Sequence, residues 1–170
     1  MTIRLYARSC ALLAIIVTAA ACAVTAARTS PSSSAALVER GRYLARIAGC
    51  NDCHTPGYPE SGGTVAEDKW LIGDRLGWRG PWGTTYAINV RTYLAGVSEA
   101  EWVRLARTLR SRPPMPWFTL RDMTDEDLRA IYQFVRSLGP SSESVPAFVP
   151  PGQEPPPPYV QFPEPPKPSR

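Results

Sequence analysis

The chain has 170 residues, 44% of them apolar, with 19 Lys plus Arg against 15 Asp plus Glu and as many as 19 prolines. That apolar share excludes a wholly disordered chain. Between Arg28 and Gly139 there are fifteen basic and twelve acidic residues, an excess too small for a nucleic-acid partner and pointing only weakly to an acidic protein one.

Residues 1–27 read as a signal peptide or N-terminal anchor. Arg4 and Arg8 precede an apolar run from Ala11 to Ala21, and no acidic residue occurs before Glu39, the pattern of an export signal. Cleavage after Ala26 satisfies the small-x-small rule, and so does cleavage after Ala21. The second option has a variant in which Cys22 becomes a lipidated N-terminus. An uncleaved anchor is the third reading, although the apolar core is short for a span of about twenty residues. All three imply a periplasmic or otherwise extracytoplasmic destination, and lipidation at Cys22 or an uncleaved segment adds a membrane anchor. Residues 28–36 form a Ser/Ala-rich linker, residues 37–139 a domain, and residues 140–170 a proline-rich tail.

The spacing of Leu37, Gly41, Leu44 and Ala48 predicts a helix over Leu37–Ala48 with Arg42 and Arg46 on its other face. Gly41 costs about 1 kcal/mol inside a helix, so its place on the apolar face predicts close passage of another helix. Directly afterwards comes Cys50-Asn51-Asp52-Cys53-His54, which contains the chain's single histidine. Two thiols at this spacing can form thioethers with the vinyl groups of a haem, and the adjacent imidazole can reach its iron. A structural zinc site needs about four N or S ligands, and outside the motif only Cys10 and Cys22 remain, in the N-terminal segment. A thioredoxin-like pair calls for alternating strands and helices, which the chain does not display, and a plain disulfide leaves His54 unexplained. The expected cofactor is therefore one haem c, bound covalently by Cys50 and Cys53.

From Thr55 to Val97 the chain is rich in glycine and lacks periodicity, predicting loops wrapped around the cofactor. Trp78, Arg79, Trp82, Tyr86 and Arg91 carry donors suited to haem propionates, with aromatic packing and a solvated arginine as the competing explanations. Of these, Trp82 and Tyr86 are taken as candidate cofactor-binding residues. A second helix starts at the Ser98/Glu101 capping box, buries Trp102, Leu105, Ala106 and Leu109, and ends near Ser111. Arg104, Arg107, Arg110 and Arg112 follow its exposed side, either as a solvated face or as a rim that steers an acidic redox partner.

With no second histidine, a sixth iron ligand must come from Met115 or Met123. Met115 lies in Arg112-Pro113-Pro114-Met115-Pro116-Trp117, where three prolines stiffen the segment. Met123 is explained by packing beside a helix start, so Met115 is the candidate distal ligand. The last helix runs from an N-cap at Thr124, through Asp125, Glu126 and Asp127 at its positive end, to Gly139-Pro140. Leu128, Ile131, Tyr132, Val135 and Leu138 share one face, and Tyr132 is the candidate to lie over Gly41. Twelve of the prolines fall from Pro140 onward, so the tail favours polyproline II. It docks through Val145, Phe148, Val149, Tyr159, Val160 and Phe162, forms a solvated spacer, or binds a partner.

From about Val38 to Gly139 the chain resembles a single-haem, class I-like cytochrome c domain. The residues that carry the resemblance are Gly41-Arg42-Tyr43-Leu44, the Cys50–His54 motif, Gly83-Thr84-Thr85-Tyr86-Ala87-Ile88-Asn89, Pro114-Met115-Pro116 and Met123-Thr124-Asp125-Glu126-Asp127-Leu128. It is especially similar to the domains in the cytochrome subunits of bacterial membrane-bound alcohol and sugar-acid dehydrogenases. Those subunits usually carry several haem motifs where this chain has one, and the proline-rich tail has no counterpart in the minimal fold. The resemblance implies an all-α cytochrome c fold, with three main helices and long loops around one haem, crossed terminal helices, and His54 and Met115 on opposite faces of the porphyrin.

Two strong axial ligands saturate the iron, which predicts a single-electron carrier and not an enzyme. The expected partners are a protein donor and acceptor, among them a membrane-bound or periplasmic dehydrogenase or oxidase. His54 is expected to donate its second ring N–H to a backbone carbonyl, with Pro81 as the candidate. Without ligation by Met115, the open iron implies instead a small-ligand sensor or a peroxidase-like enzyme. A cytochrome subunit of a larger complex is the other alternative.

Overall fold

The computed structural model describes residues 34–164. The readings of residues 1–27, of Cys22 and of most of the linker lie outside the described residues.

Helix α1, Ser34–Ile47, starts within the expected linker and presents Gly41, Leu44 and Ala45 to the interior. Its partner is the last helix, α6, Asp125–Ser137. There Thr124 accepts a hydrogen bond from the Asp127 amide at 3.1 Å, and three acidic residues occupy the positive end of the helix dipole. Leu128, Ala130, Ile131, Phe134 and Val135 are its buried residues. The two helices cross so closely that a Cβ on Gly41 would sit 2.0 Å from the Ala130 carbonyl oxygen and 2.6 Å from Phe134 Cβ.

The close crossing expected at Gly41 is therefore present, with a corrected occupant. Tyr132 does not lie over Gly41; Ala130 and Phe134 do, four residues apart and hence on one face. Two residues along a helix turn by roughly 200°, which carries Tyr132 to the other side, where its hydroxyl donates to the Val97 carbonyl at 2.9 Å.

Between these helices lie α2, Cys50–His54; the strands β1, Gly77–Gly80, and β2, Gly83–Tyr86; and α3, Val90–Ala95, capped by Asn89. Next come α4, Glu99–Thr108, and α5, Trp117–Asp122. The capping box of α4 forms, with Ser98 accepting from the Glu101 amide at 3.2 Å, but the helix stops at Thr108, short of Ser111. Leu44, Trp70, Leu71, Leu94, Trp102, Leu120 and Phe134 belong to one buried apolar cluster, and Trp70 meets Phe134 edge-on with centroids 6.1 Å apart.

The expectation of an all-α fold needs correction, because a three-stranded sheet ordered β2-β1-β3 accompanies the helices. β1 and β2 form an antiparallel hairpin closed by Pro81-Trp82, with Gly80 opposite Gly83 and Gly83 at a φ of 97°, a conformation glycine adopts without a Cβ penalty. β3, Tyr159–Gln161, comes from the proline-rich segment and pairs parallel to β1. Four-residue strands are too short to display an alternation, and the third strand is separated from its partner by about eighty residues of chain.

The proline-rich segment docks as a strap. Val149 and Thr84 exchange both backbone hydrogen bonds, at 2.8 and 3.0 Å. Phe162 packs on Trp82 and Trp78 with centroids 5.2 and 6.1 Å apart. Asn89 donates to the Glu143 carbonyl at 2.9 Å, and Arg79 bridges to Glu154 at 2.6 Å. Where the strap begins, Arg91 gathers the carbonyls at the end of α6, donating to Gly139 at 2.7 Å and also to Leu138 and Pro140. Among the described residues no helix is long and apolar enough to cross a membrane.

Candidate functional site

Gly49, at a φ of 71°, ends the connection from α1 and lets the chain turn directly into α2, which consists of the five motif residues. A polar relay fixes this short helix. The Leu71 amide donates to Thr55 Oγ1 at 2.9 Å, and the Thr55 hydroxyl donates to Asn51 Oδ1 at 2.9 Å. All three residues are buried, and the Gly73 amide closes the arrangement onto the His54 carbonyl at 3.0 Å. Motif and loop are thereby held as one unit.

Cys50 and Cys53 are free thiols, both half-buried. Burial, reinforced by Asp52 and by the other thiol, pushes Cys50 up to about 11, and burial with Asp52 and Asp74 raises Cys53, so both are protonated at neutral pH. Burial lowers the His54 imidazole below its ordinary value against the opposing effect of its hydrogen bond to Ile88. His54 Nδ1 lies 2.8 Å from the Ile88 carbonyl oxygen. A carbonyl can only accept, so Nδ1 carries the proton, and in the neutral ring that burial favours Nε2 keeps a lone pair. The side chain is thus a neutral imidazole oriented through one nitrogen and able to ligate through the other. The expectation of a backbone-carbonyl partner is met by Ile88, not Pro81: the chain leaving β2 brings Ile88 to the ring, whereas Pro81 sits in the turn at the hairpin's far end.

Comparison with known proteins gives three informative relatives. One subunit of the nicotinate dehydrogenase of Pseudomonas putida is 32% identical over 127 residues, 68% of this chain and 10% of the relative. The cytochrome c subunit of the quinone-dependent alcohol dehydrogenase of Gluconacetobacter polyoxogenes is 29% identical over 122 residues, 65% of this chain and 24% of that subunit. The gluconate 2-dehydrogenase cytochrome c subunit of Pantoea cypripedii is 27% identical over 132 residues, 70% of this chain and 27% of that one.

The chain carries a cytochrome c domain similar to those of dehydrogenase cytochrome subunits. It spans only about a tenth to a quarter of the length of the curated relatives it matches. No family model matches it, and no solved structure does.

Several groups of this cytochrome c domain suit a haem. Tyr86 places its hydroxyl in the interior without a hydrogen-bond partner, and Asn51 Nδ2 is similarly orphaned; such buried atoms are ordinarily satisfied by a ligand or an ordered water. Ile47, three residues before the motif, is 61% exposed, and Ile88, whose carbonyl holds His54, is 46% exposed. Apolar side chains of this kind suit the edge of a flat macrocycle. The Trp82 indole donates within its own hairpin, to the Trp78 carbonyl at 3.3 Å. Arg79 is engaged by Glu154 and Tyr159 and Arg91 by backbone carbonyls, which leaves the Trp78 indole and the Tyr86 hydroxyl among the sequence-derived donors, the latter buried without a partner.

Met115 sits on the turn between α4 and α5, partly buried against the core, with its carbonyl accepting from the Trp117 amide at 2.9 Å. Met123 is also packed on the core, at the end of α5. The basic run is engaged within the fold: Arg107 pairs with Asp125 at 2.6 Å and Arg104 with Glu101 at 3.7 Å. Arg110 lies 4.2 Å from the Trp117 ring and Arg112 3.9 Å from the Phe148 ring. Among the described residues, no group of three or more His, Cys, Asp and Glu side chains converges as a metal site. The sequence does not mark Asn51, Thr55 or Ile88 for these roles. Their roles depend on the relay and on one backbone carbonyl, neither of which leaves a pattern.

Proposed function

We propose that the chain is an exported electron carrier, holding one haem c through Cys50 and Cys53 and passing single electrons between a dehydrogenase and a further redox protein. His54 would supply the proximal iron ligand and Met115 the distal one. The observation that carries this reading is the neutral His54 imidazole, anchored through Nδ1 to Ile88 beside two free thiols on one short helix. A haem so ligated supplies one-electron chemistry without an open coordination position. Ile88 fixes the imidazole orientation and tautomer, and its hydrogen bond makes Nε2 a stronger donor. Tyr86 would donate its orphaned hydroxyl to a propionate. Trp82, its N–H already engaged, would contribute a wall of the pocket.

The names of the relatives support a place beside a dehydrogenase, with the cytochrome accepting electrons from the catalytic subunit. Residues 1–27 would deliver the domain to the periplasm, either released or tethered at the membrane. Expression with the haem-attachment machinery tests the proposal. The intact mass should equal the processed chain plus one haem, and the Cys50→Ser/Cys53→Ser double variant should carry none. A wild-type mass without haem, from cells that mature a control cytochrome c, would overturn it.

A further inference from the structure

The segment carrying Met115 is braced from outside its own helices. The Thr85 hydroxyl, on β2, lies 2.7 Å from the Pro113 carbonyl oxygen and 3.5 Å from that of Trp78. With one proton to donate, it bonds the nearer acceptor. One residue earlier in the Met115 segment, the Arg112 guanidinium stacks 3.9 Å from the centroid of Phe148, in the proline-rich strap. The next strap residue, Val149, exchanges both backbone hydrogen bonds with Thr84. Two consecutive residues of the Met115 segment are therefore held by two elements, β2 and the strap, which are locked to each other. The same stretch of chain after β2 supplies Ile88, the anchor of His54.

We infer that Thr85 and Phe148 are positioning residues for Met115, and that the strap works as a brace keeping the methionine sulfur on the iron. The inference rests on the reading of Met115 as the distal ligand. The brace acts by lowering the population of loop conformations in which the sulfur has moved away. An external ligand that must displace the methionine, such as imidazole, then binds more weakly than to an unbraced loop, because it draws on that minor population.

The test is an imidazole titration of the oxidised, haem-loaded full chain, followed by its visible spectrum. Thr85→Val removes the hydroxyl at nearly constant shape and is expected to tighten imidazole binding about fivefold, the equivalent of one ordinary hydrogen bond. Thr85→Ser, which keeps the hydroxyl, should restore the wild-type affinity. Arg112→Ala, at an exposed position, removes the stack on Phe148 without opening the core and is expected to tighten binding about threefold. It also serves should Thr85→Val fail to fold.

Thermal unfolding separates a local effect from general loosening. A lowered melting temperature with unchanged imidazole affinity overturns the inference, as does equal tightening by Thr85→Ser and Thr85→Val. The far-red sulfur-to-iron band of the wild type is the control on the underlying reading. If the band is present and neither Thr85→Val nor Arg112→Ala changes imidazole affinity, the brace is refuted while the ligand stands. If the wild type lacks the band, Met115 is not the ligand and the brace falls with it.

Discussion

Gly41→Ala tests the crossing on which the fold depends. The added Cβ would lie 2.0 Å from the Ala130 carbonyl oxygen, 2.6 Å from the Ala130 carbonyl carbon and 2.6 Å from Phe134 Cβ, against an ordinary contact distance of about 3.5 Å. Two of these atoms are backbone and cannot rotate away, so α1 and α6 must part by roughly 1 Å or more. Overpacking of this kind costs up to about 3 kcal/mol or more, and the better helix propensity of alanine returns about 1 kcal/mol. A net loss of about 2–3 kcal/mol is expected, lowering the melting temperature by about 10 °C for a domain of this size.

The assay is thermal unfolding of the haem-loaded protein followed by far-ultraviolet circular dichroism. Gly96→Ala is the control: its backbone is right-handed helical, and its Cβ would meet only the Tyr93 carbonyl at 3.6 Å. It should be neutral or slightly stabilising. A Gly41→Ala protein as stable as the Gly96→Ala one would refute the close crossing.

Three further outcomes are expected. Arg91→Lys should destabilise the chain by about 3 kcal/mol in chemical denaturation, because a single ammonium cannot replace a guanidinium that donates to Gly139 at 2.7 Å and Asp68 at 2.9 Å as well as to Leu138. The Tyr159 hydroxyl, and after it Arg79, hold the Glu154 carboxyl below its ordinary value of 4.5. This depressed value stabilises the docked strap fully above pH 4.5, and the contribution disappears as the pH falls through the folded value. Acid should thus loosen the strap, seen as a change in Trp78 and Trp82 fluorescence where they meet Phe162, and Glu154→Gln should remove that part of the acid step. Finally, Cys50→Ser and Cys53→Ser singly should each retain haem through one thioether, visible as a shifted pyridine haemochrome spectrum; unchanged spectra would show that the thiols do not carry the attachment.

The helices that frame the domain were legible because each has a local marker. Thr124 and Ser98 act through their own side chains within three residues, and Gly41 announces a neighbour by its misplacement on an apolar face. The motif was legible for a similar reason, its chemistry being contained in five consecutive residues. What stayed hidden depends on partners distant in sequence. β3 reaches β1 across about eighty residues, and the strap is held by Asn89 together with Arg79 and Arg91, which the sequence offers as donors for a propionate. Ala130 and Phe134 at the crossing fall outside the single stripe that the spacing predicts, because the buried face of α6 is broader than one stripe. α3 left a readable trace in Asn89, whose side chain accepts from the Thr92 amide at 3.0 Å, inside a stretch otherwise dominated by glycine.

The most direct test of the central claim is the far-red absorption of the oxidised, haem-loaded chain, recorded for the wild type and for Met115→Ala. The wild type is predicted to be low-spin with the weak sulfur-to-iron band, and the variant to lose that band and bind imidazole readily. A band that survives in Met115→Ala, or one absent from the wild type, would contradict the assignment of His54 and Met115 as the two iron ligands.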